Sequence, residues 1–273
     1  MEKMNCVCFV AHKYDSFVRD QWLKLLSDLE ESETDVFLLF DMTDKDPTAS
    51  DLTSFFKDLA NRTIPEESCI LFYEAEVRDH LIARGYDIQY YEGISKLFYG
   101  NIMLKYMDFW HQHRKPRYYD YYWFIEWDVF YDGNWRDLIS KWDEIDADYV
   151  SRSSTWGNEY KDDWFHHDQW KTTTLKPFEK SDLFVTFNPI MRLSDRAMSF
   201  LDHVYSEGNS GFYEVFLGSV LKREGFTLDG FYEHDDLDVF SFTWLPHGKS
   251  FNRDTMNRDK HLLYHPMKSN PYE

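Results

Sequence analysis

Short apolar runs alternate with amphipathic segments along the first half of the chain. The first run spans Asn5 to Ala11, and apolar residues then recur at helical spacing from Phe17 to Leu29. Two more runs, Asp35 to Phe40 and Ser68 to Tyr73, are predicted to form buried strands, and a helix is predicted from Glu74 to Arg84. This alternation of strands and helices predicts an α/β fold with a mainly parallel sheet.

The same pattern continues through the second half. Ile94 to His113 predicts a long helix, and Tyr121 to Ile125 is the most strongly β-forming stretch in the chain. Residues 151–180 are polar, aromatic and irregular, and a loop that long in a compact domain is usually functional. The remaining predicted elements are helices at Trp135 to Trp142, Asp195 to Tyr205 and Phe212 to Arg223, and strands or short apolar runs at Ala147 to Val150, Leu183 to Phe187 and Leu262 to Tyr264.

Two carboxylates directly follow the Tyr121 to Ile125 strand. Glu126 and Asp128 are two positions apart, so both side chains lie on one face if the strand persists that far. Burying two adjacent carboxylates is costly unless a cation neutralises them, and open α/β sheets bind ligands at the carboxyl ends of their strands. We therefore predict an Mg²⁺ or Mn²⁺ site at Glu126 and Asp128. The alternative is that the strand has ended and water solvates both acids.

The charge of the chain excludes some partners. Lys and Arg number 30 and Asp and Glu number 49, so the formal charge is −19. This charge disfavours binding to nucleic acid or to an anionic membrane surface. A nucleotide diphosphate would also be repelled, unless a divalent cation reverses the local field. Aromatic residues make up 19% of the chain, which fits either a bulky core or a sugar-binding cleft lined with rings.

Cysteine usage and hydropathy indicate a compartment. Cys6, Cys8 and Cys69 are odd in number and lie in apolar runs, which predicts reduced core thiols. The run from Cys6 to Ala11 is too short for a signal peptide, and nothing approaches the length of a transmembrane segment. We therefore expect a cytoplasmic protein, and a single domain over residues 1–273 because no linker is evident.

A bulky apolar strand that ends in an acid-x-Asp triplet after several βα units resembles the GT-A class of glycosyltransferases. The string from Glu126 to Trp135 also resembles poorly characterised bacterial and fungal relatives of that class. The resemblance implies a GT-A-like fold in which residues 1–128 bind a nucleotide sugar and residues 129–273 bind the acceptor. It implies metal-dependent, inverting transfer from a UDP- or GDP-sugar donor to a glycan or another hydroxyl acceptor. Glu126 stands where aspartate is commoner, so its contact with the metal is direct or passes through water or the sugar.

Further residues receive roles from the same resemblance. His265 completes the metal site, and Lys268 suits the diphosphate. Glu214 begins a predicted helix and is the candidate catalytic base, although the helix dipole alone would also favour an acid there. The predicted donor-binding residues are His12, Tyr14, Asp41 and Lys96. Independently of the resemblance, the cluster of rings beside polar groups in the long irregular segment suits a polyhydroxylated acceptor, which predicts acceptor contacts from Trp156, Trp164, His167 and Asp168.

Two other classes of function stay open at this point. A noncatalytic carbohydrate-binding protein would use the aromatic residues to hold a glycan and the acids as structural groups. A metal-dependent nucleotidyltransferase or phosphoesterase would use Glu126 and Asp128 in two-metal chemistry. No Gly-x-Gly-x-x-Gly, Walker or Gly-x-Ser-x-Gly motif occurs, which disfavours dinucleotide enzymes, P-loop NTPases and serine hydrolases.

Overall fold

The computed structural model describes residues 3–43, 50–86, 102–114, 118–156, 170–171, 174–179, 182–231, 240–242 and 262–268. The helices within these ranges are α1 (Ser16–Leu29), α2 (Ser50–Ala60), α3 (Glu74–Ile82), α4 (Ile102–His113), α5 (Trp135–Asp143), α6 (Asp195–Ser206) and α7 (Tyr213–Arg223). The strands are β1 (Asn5–Ala11), β2 (Thr34–Asp41), β3 (Cys69–Phe72), β4 (Tyr121–Glu126), β5 (Phe130–Tyr131), β6 (Tyr149–Trp156), β7 (Trp170–Lys171), β8 (Phe184–Ser194), β9 (Ser210–Gly211), β10 (Leu228–Gly230), β11 (Phe240–Phe242) and β12 (Leu263–His265).

The central sheet contains seven strands in the order β10-β6-β8-β4-β1-β2-β3. Neighbouring strands are parallel except at β8, which runs antiparallel to both β4 and β6. The predicted fold class, an α/β fold with a mainly parallel sheet flanked by helices, is therefore confirmed.

Helices cover both faces of this sheet. Every second residue of β1, beginning with Cys6, packs in a cluster with α3, α4, α6 and α7. The alternate residues, beginning with Val7, pack in a second cluster with α1, α2 and α5. A strand covered on both faces reads as a continuous apolar run, which explains why the sequence pattern of β1 was easily recognised. The cysteines are free thiols, with Cys6 and Cys8 buried, as predicted.

Side chains at the helix starts set several boundaries. Asp15 accepts a hydrogen bond from the backbone N–H of Val18 and caps α1, and Ser194 caps α6 in the same way. Gly85 follows α3 with a φ of 90°, the left-handed conformation predicted for it. None of the helices within the described ranges is long and apolar enough to cross a lipid bilayer.

Some boundaries differ from the prediction. Residues 151–156 were expected to be irregular, but they continue β6, and β8 extends to Ser194 where the prediction ended it at Phe187. Strand β8 contains Arg192, whose hydrogen-bond partners lie elsewhere in the fold, so the apolar run ends before the strand does. The helix α2 was not predicted, and of the predicted helix from Ile94 to His113 the structure describes Ile102–His113.

A second, smaller sheet lies at the carboxyl end of β4. It has the order β11-β12-β5, with β12 parallel to β11 and antiparallel to β5. Because β5 follows β4 after a short turn, this pairing brings the C-terminal strand β12 to the edge of the central sheet where β4 ends.

Candidate functional site

Glu126, Asp128 and His265 come together at the carboxyl end of β4. One ligand atom from each of the three side chains lies within 4.8 Å of the others. Nε2 of His265 is 3.3 Å from Oδ1 of Asp128 and 4.0 Å from Oε2 of Glu126. The three predicted metal ligands are thus neighbours, although more than a hundred residues separate His265 from the two acids in the chain.

Backbone hydrogen bonds hold the turn that carries the two acids. Glu126 is the last residue of β4, and its carbonyl accepts a bond from the N–H of Val129 at 3.0 Å. Asp128 lies beyond the end of β4. The two carboxylates are therefore brought together by the turn, and not by the alternation of side chains along a strand. The carbonyl of Asp128 accepts a bond from the N–H of Met267 at 2.8 Å, which ties the turn directly to the segment that bears His265.

The two acids have opposite pKa shifts. Burial raises the pKa of Glu126 well above its usual range, and the nearby charges of Asp128 and Glu214 raise it further. Burial also acts on Asp128, but the attraction of His265 and Lys268 outweighs it and lowers the pKa of Asp128 below its usual value. The two shifts therefore favour the protonated form of Glu126 and the ionised form of Asp128.

A divalent cation fits this group of residues. Oδ1 of Asp128 is buried and, in the described part of the chain, makes no hydrogen bond of acceptable geometry. Two carboxylates and one imidazole form a ligand set that Mn²⁺ accepts, and carboxylate oxygens also suit Mg²⁺. A cation bound to both acids would lower the pKa of Glu126, because it would offset both the burial and the repulsion from Asp128.

Glu214 lies in the first turn of α7, where the sequence placed a candidate base. Its side chain is almost fully buried, at 8% exposure. Burial raises its pKa to about 8, although the backbone N–H of Asn188 donates a hydrogen bond that partly opposes the shift. A helix N-terminus favours an ionised carboxylate, but burial is the largest effect on the pKa of Glu214 and raises it.

Basic groups surround Trp127, the residue between the two acids. Nζ of Lys13 lies 4.1 Å from the centre of its ring, and Nζ of Lys268 lies 4.4 Å from it. Lys268 also donates a hydrogen bond to Asp128. The predicted donor-binding residue His12 meets the same ring edge-on at 5.2 Å between ring centres. The structure therefore concentrates positive charge beside the acids of a strongly acidic chain.

Sequence reasoning did not assign a role to Lys13 or Trp127. Both are direct neighbours in sequence of residues that were assigned, His12 and Glu126. Lys13 and Trp127 lie close together because β1 and β4 are paired in parallel and their carboxyl ends meet at the same sheet edge, which the sequence pattern alone does not reveal.

Two predicted donor-binding residues make contacts within the fold. Tyr14 is 1% exposed, its ring packs against Phe40 and Phe55, and its hydroxyl donates to Asp58 at 2.9 Å. Its ring therefore has no free face on which a base could stack.

Asp41, the last residue of β2, forms a buried ion pair with Lys105. Burial acts to raise the pKa of Asp41, but the ion pair outweighs burial and lowers this pKa below its usual value.

The remaining predictions concern residues about which the structure says little. Lys96, Trp164, His167 and Asp168 lie outside the described residues. Trp156 is the last residue of β6, and its side chain is not among those described. The acceptor-binding role of these residues therefore stays a prediction.

No protein-family model matches the sequence, and no curated protein matches it significantly. Similar solved structures include the apo form of mouse xyloside xylosyltransferase 1, with 12% identity and a TM-score of 0.40 over 84% of this chain and 85% of that one. A mannosyltransferase from Pyrobaculum calidifontis in complex with GDP-Man and Mn2+ has 10% identity and a TM-score of 0.46, over 84% of this chain and 55% of that one. A putative glucose-1-phosphate thymidylyltransferase from Bacillus anthracis in complex with a sucrose has 10% identity and a TM-score of 0.42, over 83% of this chain and 86% of that one. Similarity at this level carries no argument about function, and the fold assignment rests on the sheet described above.

Proposed function

We propose that this protein is a metal-dependent glycosyltransferase that moves a sugar from a nucleotide-diphosphate sugar to a hydroxyl acceptor, with inversion at the anomeric carbon. One observation carries the proposal: Glu126, Asp128 and His265 converge at the carboxyl end of a central strand, with the ammonium group of Lys268 beside them. Ligands of open α/β sheets bind at this edge. The geometry combines ligands for a cation with a positive charge suited to phosphate.

Each residue of the site has a role in this proposal. Glu126, Asp128 and His265 would hold Mn²⁺ or Mg²⁺, which when bound supplies Lewis acidity to the departing diphosphate. Lys268 and Lys13 would pair with the phosphate oxygens and reduce the repulsion from the acidic chain. Both ammonium groups make cation–π contacts with Trp127; Lys268 also pairs with Asp128, and Lys13 also pairs with Asp15.

Glu214 would accept the proton of the attacking hydroxyl. A base is most effective when its pKa lies near the working pH, and burial places the pKa of Glu214 at about 8. A positive charge at the neighbouring acids would increase its ionised fraction at neutral pH, since an opposite charge favours a carboxylate. The acceptor would then lie on the side formed by residues 129–273, where Trp156, Trp164, His167 and Asp168 are predicted to contact it.

The products of the reaction test the proposal. The purified protein is incubated with UDP- and GDP-sugars and a panel of glycan acceptors, with and without Mn²⁺. We expect release of free nucleoside diphosphate that depends on the cation, and a product of inverted anomeric configuration. Pyrophosphate or phosphate as the product would instead identify a nucleotidyltransferase or a phosphoesterase. Glycan binding that Mn²⁺ does not affect, without any turnover of nucleotide sugars, would identify a carbohydrate-binding protein.

A further inference from the structure

A buried polar cluster lies behind Glu214 and has no role in the mechanism above. The side chains of Tyr149, Thr186 and Asn188 are each at most 2% exposed. The hydroxyl of Tyr149 donates to Oδ1 of Asn188 at 2.7 Å and lies 2.9 Å from Oγ1 of Thr186. Oγ1 of Thr186 in turn donates to the backbone carbonyl of Glu214 at 3.1 Å. The cluster therefore connects Asn188 to the first turn of α7.

Strand β8 leaves its regular ladder at this cluster. Ser151 of β6 pairs with Met191, but the next residue of β6, Arg152, pairs with Phe187. Residues 188–190 consequently have no partner in β6. An irregularity of this kind bends the strand and re-aims a side chain, and such features are common beside active sites.

The pairing of β8 with β4 also ends here. It stops at Ile190, which pairs with Ile125, and Pro189 has no N–H with which to extend it. The backbone N–H of Asn188 instead donates to the carboxylate of Glu214. Asn188 is thus held beside the candidate base by its main chain and beside Tyr149 by its side chain.

One polar atom of the Asn188 side chain has no hydrogen-bond partner. Nδ2 is buried and makes no hydrogen bond within the part of the chain that the structure describes. Rotating the amide by half a turn would leave Oδ1 unpaired instead, so one unpaired atom remains in either orientation. A buried polar group without a partner destabilises a fold, and folded proteins contain few of them. The amide is therefore suited to a hydrogen-bonding group that the described residues do not supply.

We infer that Asn188 binds a hydroxyl group of the sugar substrate beside Glu214, an inference that rests on the proposed glycosyltransferase function. A hydroxyl both donates and accepts hydrogen bonds. The sugar hydroxyl can accept a hydrogen bond from Nδ2 of Asn188 and at the same time donate one to the carboxylate of Glu214. A ligand without that hydroxyl leaves the amide unpaired, so the site selects against deoxygenated sugars. Asn188 positions the substrate and takes no part in proton transfer.

Titration calorimetry of the Mn²⁺-loaded protein tests this assignment. If the hydroxyl belongs to the donor, Asn188→Ala weakens binding of the nucleotide sugar by about tenfold and leaves binding of the nucleoside diphosphate unchanged. If it belongs to the acceptor, donor affinity is unchanged and the KM for the acceptor rises by a similar factor. Deoxy analogues then identify the hydroxyl. The analogue that lacks it binds the wild type less tightly than the parent sugar does, whereas Asn188→Ala binds the analogue and the parent sugar equally tightly.

Two further variants separate binding from folding. Tyr149→Phe leaves the amide in place but removes the hydroxyl that orients it, so we expect a smaller loss of affinity in the same direction. Asn209→Ala is the matched control, because Asn209 is also a buried asparagine but its amide bonds to Val204 and Thr174 within the fold. It should lower the melting temperature without changing ligand affinity.

The outcomes distinguish this inference from the proposed function. The role of Asn188 is overturned if Asn188→Ala folds and both its donor affinity and its acceptor KM stay within twofold of the wild type. That result leaves the proposed glycosyltransferase function intact. A wild type that binds no nucleotide sugar overturns the proposed function. In that case methyl glycosides serve as probes in a thermal-shift assay. Stabilisation of the wild type but not of Asn188→Ala supports hydroxyl binding, and no stabilisation of either contradicts it.

Discussion

Buried or partly buried carboxylates occur at opposite edges of the central sheet, in very different surroundings. Asp148 lies just before β6 and accepts hydrogen bonds from Ser194, Arg196 and Thr227. Burial acts to raise its pKa, but these bonds lower it to about 2. At the carboxyl end of β4, burial is the largest effect on the pKa of Glu126 and of Glu214, and it raises both.

The difference separates an acid whose charge the fold already compensates from the two acids that we propose bind a cation or a substrate. Asp148 has its donors within the chain, so its charge is already compensated. Among the described residues, the hydrogen bond of Tyr213 to Glu126 and that of Asn188 to Glu214 do not outweigh burial, so charge on either acid would need a cation or a substrate to balance it. Burial alone would not reveal the distinction, because Asp148 and Glu214 are equally inaccessible to solvent, both at 8% exposure.

The largest effect is expected from removing Asp128, the acid at the carboxyl end of β4 whose pKa is lowered. We expect Asp128→Ala to lower turnover by about a thousandfold or more, because the cation loses a ligand that holds it against the diphosphate. Calorimetry should show a parallel loss of Mn²⁺ affinity. The control is Asp148→Ala, which should bind Mn²⁺ like the wild type. Full turnover of Asp128→Ala at saturating Mn²⁺ would contradict the proposed site.

Glu214→Gln tests the role of the second acid at this edge. If Glu214 is the base, turnover falls by about a hundredfold or more. A retained anomeric configuration together with a mild effect would remove it from that role. The matched control is Glu224→Gln, at the exposed far end of α7, which should turn over normally.

The same variant has a signature in the pH dependence of stability. The folded protein holds a proton on Glu214 up to about pH 8, whereas an ordinary glutamate releases it near 4.5. The cation-free fold therefore loses stability as the pH rises between these values, because the unfolded chain binds fewer protons. Glu214→Gln should reduce this loss, with Glu126 accounting for the remainder because its pKa is also raised. Denaturation at several pH values in the presence of a chelator would detect the difference.

Asp148→Ala should show the opposite behaviour at the other edge. It leaves the donors of Ser194, Arg196 and Thr227 without their acceptor, so we expect a loss of about 2 kcal/mol in the free energy of unfolding. Since the pKa of Asp148 is lowered to about 2, its contribution is present above about pH 4 and disappears as the pH falls towards 2. Denaturation of the variant and the wild type at pH 7 and pH 3 should therefore give a smaller difference at the lower pH.

Lys268→Met gives the smallest effect. Lys268 is half exposed and already pairs with Asp128, so we expect about a tenfold loss of nucleoside diphosphate affinity with little change in stability. Lys57→Met, on the exposed side of α2, is the control and should bind normally. Equal affinities for the two variants would remove Lys268 from the proposed diphosphate site.

The sequence predicted those parts of the fold whose pattern is local. Strands such as β1 and β2 are continuous apolar runs because both faces of the sheet are covered. The extension of β8 was missed because Asn188 and Arg192 interrupt its apolar run. Their partners are remote: Arg192 donates to the carbonyls of Trp142, Ile145 and Ala147, and Asn188 bonds to Tyr149 and Glu214. The helix α2 carried a usable signal, since Leu52 and Phe55 recur at helical spacing and are buried.

Site residues were predictable where a suitable side chain directly follows a recognisable strand or matches a family motif. Glu126 and Asp128 follow a recognisable strand, and His265 was implied by resemblance to GT-A enzymes. The contact of Lys13 with Trp127 depends on the register between β1 and β4, which the pattern of a single chain does not contain. Tyr14 and Asp41 were predicted from their place at strand ends, but the contacts that occupy them come from α2 and α4, through Asp58 and Lys105.

The attachment of β12 has a consequence for how a ligand would be detected. The strand is held to the rest of the site by its pairing with β5 and by the bond from Met267 to Asp128. Anything that binds Asp128 and His265 together also restrains this strand, so local opening of the strand and ligand release are thermodynamically linked. Amide hydrogen exchange in residues 262–268 should therefore slow when Mn²⁺ is added, and it offers a readout of loading before any substrate is known.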